Sequence, residues 1–234
     1  MSNKQFRDGS WDSKYFGIDV KKIYISRPVY EIPWAEDLTI ANTSDVTLIP
    51  ELEVLGFRYI TTKIYMQYEV AQQIKTLRNP NISNISTKDV DVCAEIISSS
   101  LMSQSPFTLS AKIFAKEHML TSTKIKSMYD GWFRRIYNKL GSISLCITHK
   151  NKIAGAIVST LCDNKVENEL FAVDANLRGA RLGTQLGEEL FNRLSLGCTF
   201  ETVINLHNIT AIRLWGGLGA KSVRVEYVLH KWRD

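Results

Sequence analysis

The sequence of 234 residues has no apolar run near the ~20 residues that a membrane-spanning helix needs. Residues 1–10 are polar and have no hydrophobic signal segment, so we expect a cytoplasmic protein. We expect free thiols rather than disulfides or zinc ligands, because no Cys-x-x-Cys pair occurs, and we predict no metal site. The four cysteines are scattered, at Cys93, Cys146, Cys162 and Cys198.

Long runs of basic residues are also absent. The formal net charge is +5, but the longest basic runs are Lys21-Lys22 and Arg134-Arg135. Neither an RNA-binding signature nor a helix-turn-helix pattern is present, so a nucleic-acid partner is not expected. A dispersed positive charge is instead consistent with an enzyme whose substrates carry phosphates.

Alternating β-branched and aromatic residues dominate the first 80 residues. The polar stretch 78–87 interrupts this pattern and is the best candidate for a boundary. We therefore predict a strand-rich N-terminal domain over 1–80 and a larger domain over 86–234. The predicted strands of the first domain are 22–26, 45–49 and 59–68.

Helical and strand patterns alternate from residue 86 onward. Apolar residues at helical spacing predict helices over 89–101, with Ser86 or Thr87 as its cap, and over 121–138. Further helices are predicted to begin near Leu182 and at Asn208. The predicted strands are 142–148, 152–161, 170–173, 200–205 and 222–230.

The segment from Leu170 to Thr184 is the most informative part of the chain. A short strand ends at Val173, and an Arg/Gly-rich loop leads into an amphipathic helix in which leucines recur every four residues. The first N–H groups of a helix have no internal partner and its dipole favours an anion there, so this start suits a pyrophosphate. An ordinary helix cap is the alternative interpretation.

A second block begins at Asn208 and has the pattern Asn-x-x-Ala-x-x-Leu-aromatic-x-x-Leu-Gly. Together, the two blocks resemble the GCN5-related N-acetyltransferase (GNAT) superfamily over residues 142–234. The resemblance implies an α/β fold: a mixed, mostly antiparallel central sheet with flanking helices, here preceded by the smaller N-terminal domain. It also implies acyl-CoA as co-substrate in a splay of the sheet, and direct attack of an amine on the thioester in a ternary complex.

The resemblance also implies which residues hold acyl-CoA. The backbone from Arg178 to Thr184 would bind the pyrophosphate, with Gly179 and Gly183 allowing close approach. Arg181 stands where the family usually has Gly or Ala. A strand bulge would aim one amide at the thioester oxygen. The full predicted set is Phe171, Ala172, Val173, Arg178, Gly179, Ala180, Arg181, Leu182, Gly183, Thr184, Asn208 and Trp215.

An attacking amine must lose a proton, and the candidates for the base are Glu169, Glu167 and His207. The thiolate often receives a proton from a family tyrosine, but Trp215 occupies that position, and an indole cannot supply one near neutral pH. Tyr227 or Tyr129 could replace it. Alternatively, the thiolate leaves unassisted, since a thiol of pKa about 8.5 is a tolerable leaving group.

The segment Trp11-Asp12-Ser13-Lys14-Tyr15-Phe16-Gly17 resembles the start of TDP-fucosamine acetyltransferase and related dTDP-amino-sugar N-acyltransferases. That resemblance implies a dTDP-linked amino sugar as acceptor, in surface polysaccharide synthesis, with Trp11, Tyr15, Phe16 and Tyr129 on the acceptor side. Alternatives are a protein N-terminus, a polyamine or another small amine as acceptor, or a non-catalytic acyl-CoA-binding module. No membrane partner is expected, and the chain would be a monomer or a homodimer.

Overall fold

The computed structural model describes residues 10–28, 37–71 and 79–233. Within these residues the helices are α1 (Ser10–Phe16), α2 (Ile49–Val54), α3 (Val90–Met102), α4 (Pro106–Ile113), α5 (Ser122–Tyr137), α6 (Leu182–Asn192) and α7 (Ile209–Gly217). The strands are β1 (Val20–Tyr24), β2 (Leu38–Thr43), β3 (Arg58–Glu69), β4 (Ile82–Asn84), β5 (Ser142–His149), β6 (Lys152–Cys162), β7 (Lys165–Val173), β8 (Thr199–Asn205) and β9 (Lys221–Trp232).

The strands form one sheet in the order β1-β2-β9-β3-β8-β7-β6-β5-β4. The pairs β1/β2 and β7/β8 are parallel and the other neighbours are antiparallel. The predicted class, a mixed and mostly antiparallel sheet with flanking helices, is confirmed.

The predicted N-terminal segment contributes to the same sheet as the rest of the chain. Its strand β3 lies between β8 and β9, which come from the C-terminal part. A boundary near residue 80 is therefore not a break in the sheet, and the division into two domains stays a prediction. Part of the predicted boundary stretch, residue 78, lies outside the described residues.

Helices cover both faces of the sheet. On the face that we call the α5 face, α1, α3, α4 and α5 pack around one apolar core, which includes Phe16, Ile97 and Phe133. On the opposite face, the α6 face, α6 and α7 pack around a second core. A smaller third core beneath α2 lies on this same face, because its sheet residues Ala41 and Leu229 alternate with the α5-face residues of β2 and β9.

Several short segments differ from their prediction or were not predicted, and the unpredicted ones include α1, β2 and β4. The predicted strand 45–49 is a 3-10 helix followed by α2, because the Asp45 carboxylate accepts the N–H of Thr47 and Pro50 favours a helix start. The unpredicted α4 begins in the same way, with Ser105 as cap and Pro106 in its first turn. No helix in the described ranges is long and apolar enough to cross a membrane.

Candidate active site

The sheet opens between β7 and β8. These parallel strands are paired from Lys165/Thr199 to Asn168/Thr202, and the pairing stops there although β7 continues to Val173 and β8 to Asn205. The end of α3 and the turn after it touch the two diverging strands: Ser100 Oγ donates to Val173 O (3.5 Å), and Asn205 Nδ2 donates to Gln104 O in the turn (3.3 Å). A wedge therefore lies between two central strands, bridged on the α5 face.

A β-bulge marks the base of this wedge. The register between β6 and β7 jumps from Val158/Leu170 to Ser159/Asn168, which leaves Glu169 as the extra residue. Side chains consequently change faces along β7. Val166 packs in the α6-face core, whereas Leu170, an even number of residues later, packs in the α5-face core.

The bulge also decides which amides face the wedge. Asp174 N donates to Ala154 O of the β6 side, at 2.8 Å. Because successive N–H groups along a strand point in opposite directions, Phe171 and Val173 direct their N–H groups into the wedge and Ala172 directs its own toward β6. Of the three predicted oxyanion donors, two have this orientation.

A tight loop carries the chain from β7 into α6. Gly179 has φ +87° and Arg181, immediately before the helix, has φ +58°. The left-handed conformation at Arg181 explains why glycine suits this position, since other residues adopt it at a cost of about 1–2 kcal/mol. The first helical bond joins Gln185 N to Arg181 O (3.1 Å), so the amides before Gln185 are the ones that a helix leaves without internal acceptors.

Gly183 and Trp215 contribute to packing around α6. A Cβ on Gly183 would lie 2.8 Å from Leu214 Cδ1 and 3.2 Å from Phe171 Cζ, so glycine lets α6 approach β7 and α7. The Trp215 side chain is 1% exposed and contacts the rings of Phe171, Phe191 and Phe200. This indole is part of the α6-face core, and its predicted contact with acyl-CoA stays a prediction.

Asn208 caps α7, its Oδ1 accepting the N–H of Ala211 at 3.1 Å. The cap leaves the Nδ2 donor of Asn208 for a ligand and fixes the side chain beside the end of β8. His207, in the turn before it, is exposed. The roles predicted for both residues stay predictions.

The two predicted carboxylates have different surroundings. Glu169 is half-buried, and its two oxygens accept hydrogen bonds from Trp132 Nε1 and Thr160 Oγ1, each at 3.2 Å. Glu167 is exposed and accepts from Lys165 Nζ at 2.7 Å. Glu169 is therefore the carboxylate that the fold holds at the base of the wedge.

The predicted replacement tyrosines lie in different places. Tyr227 packs against the core beneath α2 on the α6 face, and β8 and β3 separate its strand from β7. Tyr129, on α5, is buried, which raises its pKa, although a hydrogen bond with Ser105 opposes that effect. The structure does not bring Tyr227 to the wedge.

Three of the four predicted acceptor-side residues belong to one aromatic cluster. Trp11 contacts Tyr15 and Trp132, with ring centroids 4.7 and 6.1 Å apart, and Tyr129 stacks on Trp132. Phe16 differs: its side chain is fully buried in the α5-face core. Sequence reasoning did not select Trp132 for the site, although its position one turn after Tyr129 on a predicted helix could have indicated it.

No protein-family model and no curated protein matches the sequence. The fold does match solved structures. One is a GCN5-related N-acetyltransferase from Kribbella flavida (TM-score 0.57, 11% identity, covering 90% of this chain and 81% of that one). Another is a GCN5-related N-acetyltransferase from Sphaerobacter thermophilus (TM-score 0.55, 15% identity, covering 84% of this chain and 61% of that one).

A tandem GNAT protein from the clavulanic acid biosynthesis pathway is also similar, with TM-score 0.52 and 10% identity over 92% of this chain and 76% of that one. At identities this low, the likeness concerns the fold and not the substrates. The chain has the fold of the GCN5-related N-acetyltransferases.

Proposed function

We propose that this protein is an N-acyltransferase that moves an acyl group from acyl-CoA to the amino group of a dTDP-linked amino-deoxy sugar. The observation that carries the proposal is the wedge between β7 and β8, with its bulge at Glu169 and the α6 loop at its open end. A wedge with open strand edges supplies the backbone groups that an amide-bearing chain pairs with.

Acyl-CoA fits the groups around the wedge. Its pyrophosphate would bind the amides between Arg178 and Thr184, and its pantetheine arm would lie along β7, with the amide of Phe171 or Val173 on the thioester oxygen. The side-chain oxygen of Gln104, beside Asn205, is buried and has no partner among the described residues. An N–H of the arm would satisfy this acceptor.

Glu169 is the proton acceptor in this proposal. Its carboxylate is held by Trp132 and Thr160 at the point where the strands diverge, so it can receive the proton from the attacking amine directly or through water. The C–N bond forms as the C–S bond breaks. The thiolate leaves unassisted, because Tyr227 is on the other face and the Tyr129 hydroxyl is buried.

The aromatic cluster of Trp11, Tyr15, Tyr129 and Trp132 supports a nucleotide-sugar acceptor. Trp132 joins the cluster to Glu169. Its partly exposed members Trp11, Tyr15 and Trp132 can stack on a nucleobase or hexose beside the proposed proton acceptor, whereas the buried Tyr129 stacks on Trp132. A role in O-antigen or capsule synthesis and a cytoplasmic location follow from this acceptor class and belong to the same proposal, as does a monomeric or dimeric state.

Thiol release from acyl-CoA tests the proposal. Acetyl-CoA and 3-hydroxybutanoyl-CoA are each incubated with a panel of dTDP-3-amino- and dTDP-4-amino-6-deoxyhexoses, and free thiol is followed over time. We expect rapid release with one donor–acceptor pair. If no member of the panel causes thiol release although calorimetry confirms CoA binding, the proposed acceptor class is refuted. Failure to bind CoA would refute the acyltransferase proposal itself.

A further inference from the structure

The described helices of the α5 face leave the centre of the sheet uncovered. β8 is the middle one of the nine described strands, yet Val203 on it is 45% exposed. A side chain on a central strand reaches solvent only where the helical layer leaves a gap. This gap adjoins the wedge, because Val203 directly follows Thr202, the last residue of β8 that pairs with β7.

One row of side chains crosses the floor of the gap. Val203 pairs with Tyr65 on β3, and Tyr65 pairs with Arg224 on β9. Glu169, on the other side of Val203, follows Asn168, which pairs with Thr202. The row therefore runs from Glu169 on β7 to Arg224 on β9, and it spans three strand spacings, about 14 Å.

Arg224 is held in a fixed position at the far end of this row. Its guanidinium lies 3.6 Å from the centroid of the Tyr65 ring, and Nη1 donates to Glu226 Oε1 at 2.7 Å. The Tyr65 hydroxyl donates to the other oxygen of Glu226, also at 2.7 Å, and this carboxylate is buried. The ring and the carboxylate thus orient the cation before any ligand arrives.

Arg224 keeps donors for a ligand. Its side chain is 45% exposed, and the bond to Glu226 is its only hydrogen bond within the described part of the chain. A guanidinium has five N–H donors arranged to bind carboxylate or phosphate in pairs. Arg224 can therefore bind an anion while its bond to Glu226 remains.

The opposite end of the row is negative. Glu169 accepts from neutral donors, and beside it Lys165 bonds both Glu167 and Glu201. Burial raises the pKa of Glu201, but its hydrogen bonds outweigh this effect. The pKa of Glu201 is lowered overall, with Arg224 among the charges that contribute. Carboxylate charge thus predominates near β7.

We infer that Arg224 binds an anionic group of the acceptor while the acceptor's amine lies at Glu169. The inference rests on the proposed function and names the second recognition point of the same site. Because β8 and β3 lie between the strands that carry Glu169 and Arg224, these two side chains suit an amine and an anion joined through a sugar better than the adjacent amine and carboxylate of a free amino acid. A polyamine, which has no anionic group, does not fit. Tyr65 and Glu226 are positioning residues for Arg224.

Titration calorimetry with dTDP tests this inference, with CoA present at saturation so that dTDP does not occupy the pyrophosphate loop. We expect Arg224→Gln to raise the dissociation constant for dTDP at least tenfold. Arg224→Lys should recover part of the affinity, because it restores charge without the paired donors. Tyr65→Phe should weaken binding less, because it removes only the hydroxyl that orients Glu226.

Arg58→Gln is the matched control, since it removes the same charge from an exposed site at the start of β3, and we expect dTDP affinity within about twofold of the wild type. Equal dTDP affinity in the wild type and Arg224→Gln, or no binding by the wild type, would overturn the inference. The CoA titration of the wild type is recorded separately. If the wild type does not bind CoA, the result refutes the proposed function and is distinguishable from a failure of this inference. Melting temperatures establish that the variants are folded.

Discussion

At the scale of single residues, the two glutamates of β7 show how one irregularity changes the chemistry available to a strand. Two-residue spacing would make Glu167 and Glu169 equivalent on a regular strand. The bulge instead places Glu169 at the base of the wedge, held by Trp132 and Thr160, and leaves Glu167 in an exposed ion pair. The fold thus distinguishes two carboxylates that the sequence pattern treats alike.

This difference predicts the effect of removing each charge. Glu169→Gln should lower kcat/KM for acyl transfer by about 100-fold or more, the usual contribution of a general base. Glu167→Gln is the matched control and should change kcat/KM by no more than about twofold. Thiol-release kinetics from pH 5 to 9 measure both variants, and equal losses would contradict the assignment.

At the scale of elements, the position of α6 depends on close contact with α7. Gly187 lies on the inner side of α6, and a Cβ there would be 2.5 Å from Leu218 Cδ1 and 3.4 Å from Trp215 Cζ3. Because the amides of the proposed pyrophosphate site begin α6, any shift of this helix also moves that site.

We therefore expect Gly187→Ala to lower the free energy of unfolding by about 1–3 kcal/mol through overpacking. It should also weaken CoA binding. Gly216→Ala on α7 is the control, because the nearest atom to its Cβ would be 3.9 Å away. That change should be neutral or stabilising by up to about 1 kcal/mol, since alanine favours helix. Urea denaturation and CoA titration measure both, and unchanged stability in Gly187→Ala would argue against a tight contact.

At the scale of the whole molecule, β9 from the C-terminal part of the chain pairs with β2 and β3 from the N-terminal part. His230, near the end of β9, is buried beside Phe107. Burial, with smaller effects of Lys63 and Lys22, lowers the pKa of His230 to about 3. The imidazole is therefore neutral in the folded protein across the physiological range.

This pKa makes stability depend on pH. In the unfolded chain the histidine has a pKa of about 6.5, so below that pH the unfolded state binds more protons than the folded state. The contribution is complete above about pH 6.5 and falls by up to about 1.4 kcal/mol per pH unit toward pH 3. His230→Leu should flatten this slope in urea unfolding, whereas His118→Leu at an exposed site should not. Identical slopes in the wild type and His230→Leu would refute the assignment.

Local sequence pattern determined much of the fold. The helices α3, α5, α6 and α7 and the hairpin of β5 and β6 lie close to their predicted ranges. The spacing of leucine and aromatic residues indicates which face of a helix is buried, and turn residues mark where the strands end. The loop from Arg178 to Thr184 was recognisable for the same reason, since its glycines precede a strongly periodic helix. Family resemblance to the GNAT fold rested on these local blocks, and the structure has that fold.

Only the tertiary structure decided how distant segments combine. Nothing local in β3 indicates that it pairs between β8 and β9, because pairing partners are chosen by long-range packing. The bulge at Glu169 arises from register with β6, and the Trp132 contact arises from docking of α5 on the sheet. The row from Glu169 to Arg224 exists only once four strands are aligned. The periodicity of a sequence indicates on which face of a helix or strand a residue lies, but the topology of the fold determines which residues lie beside it on that face.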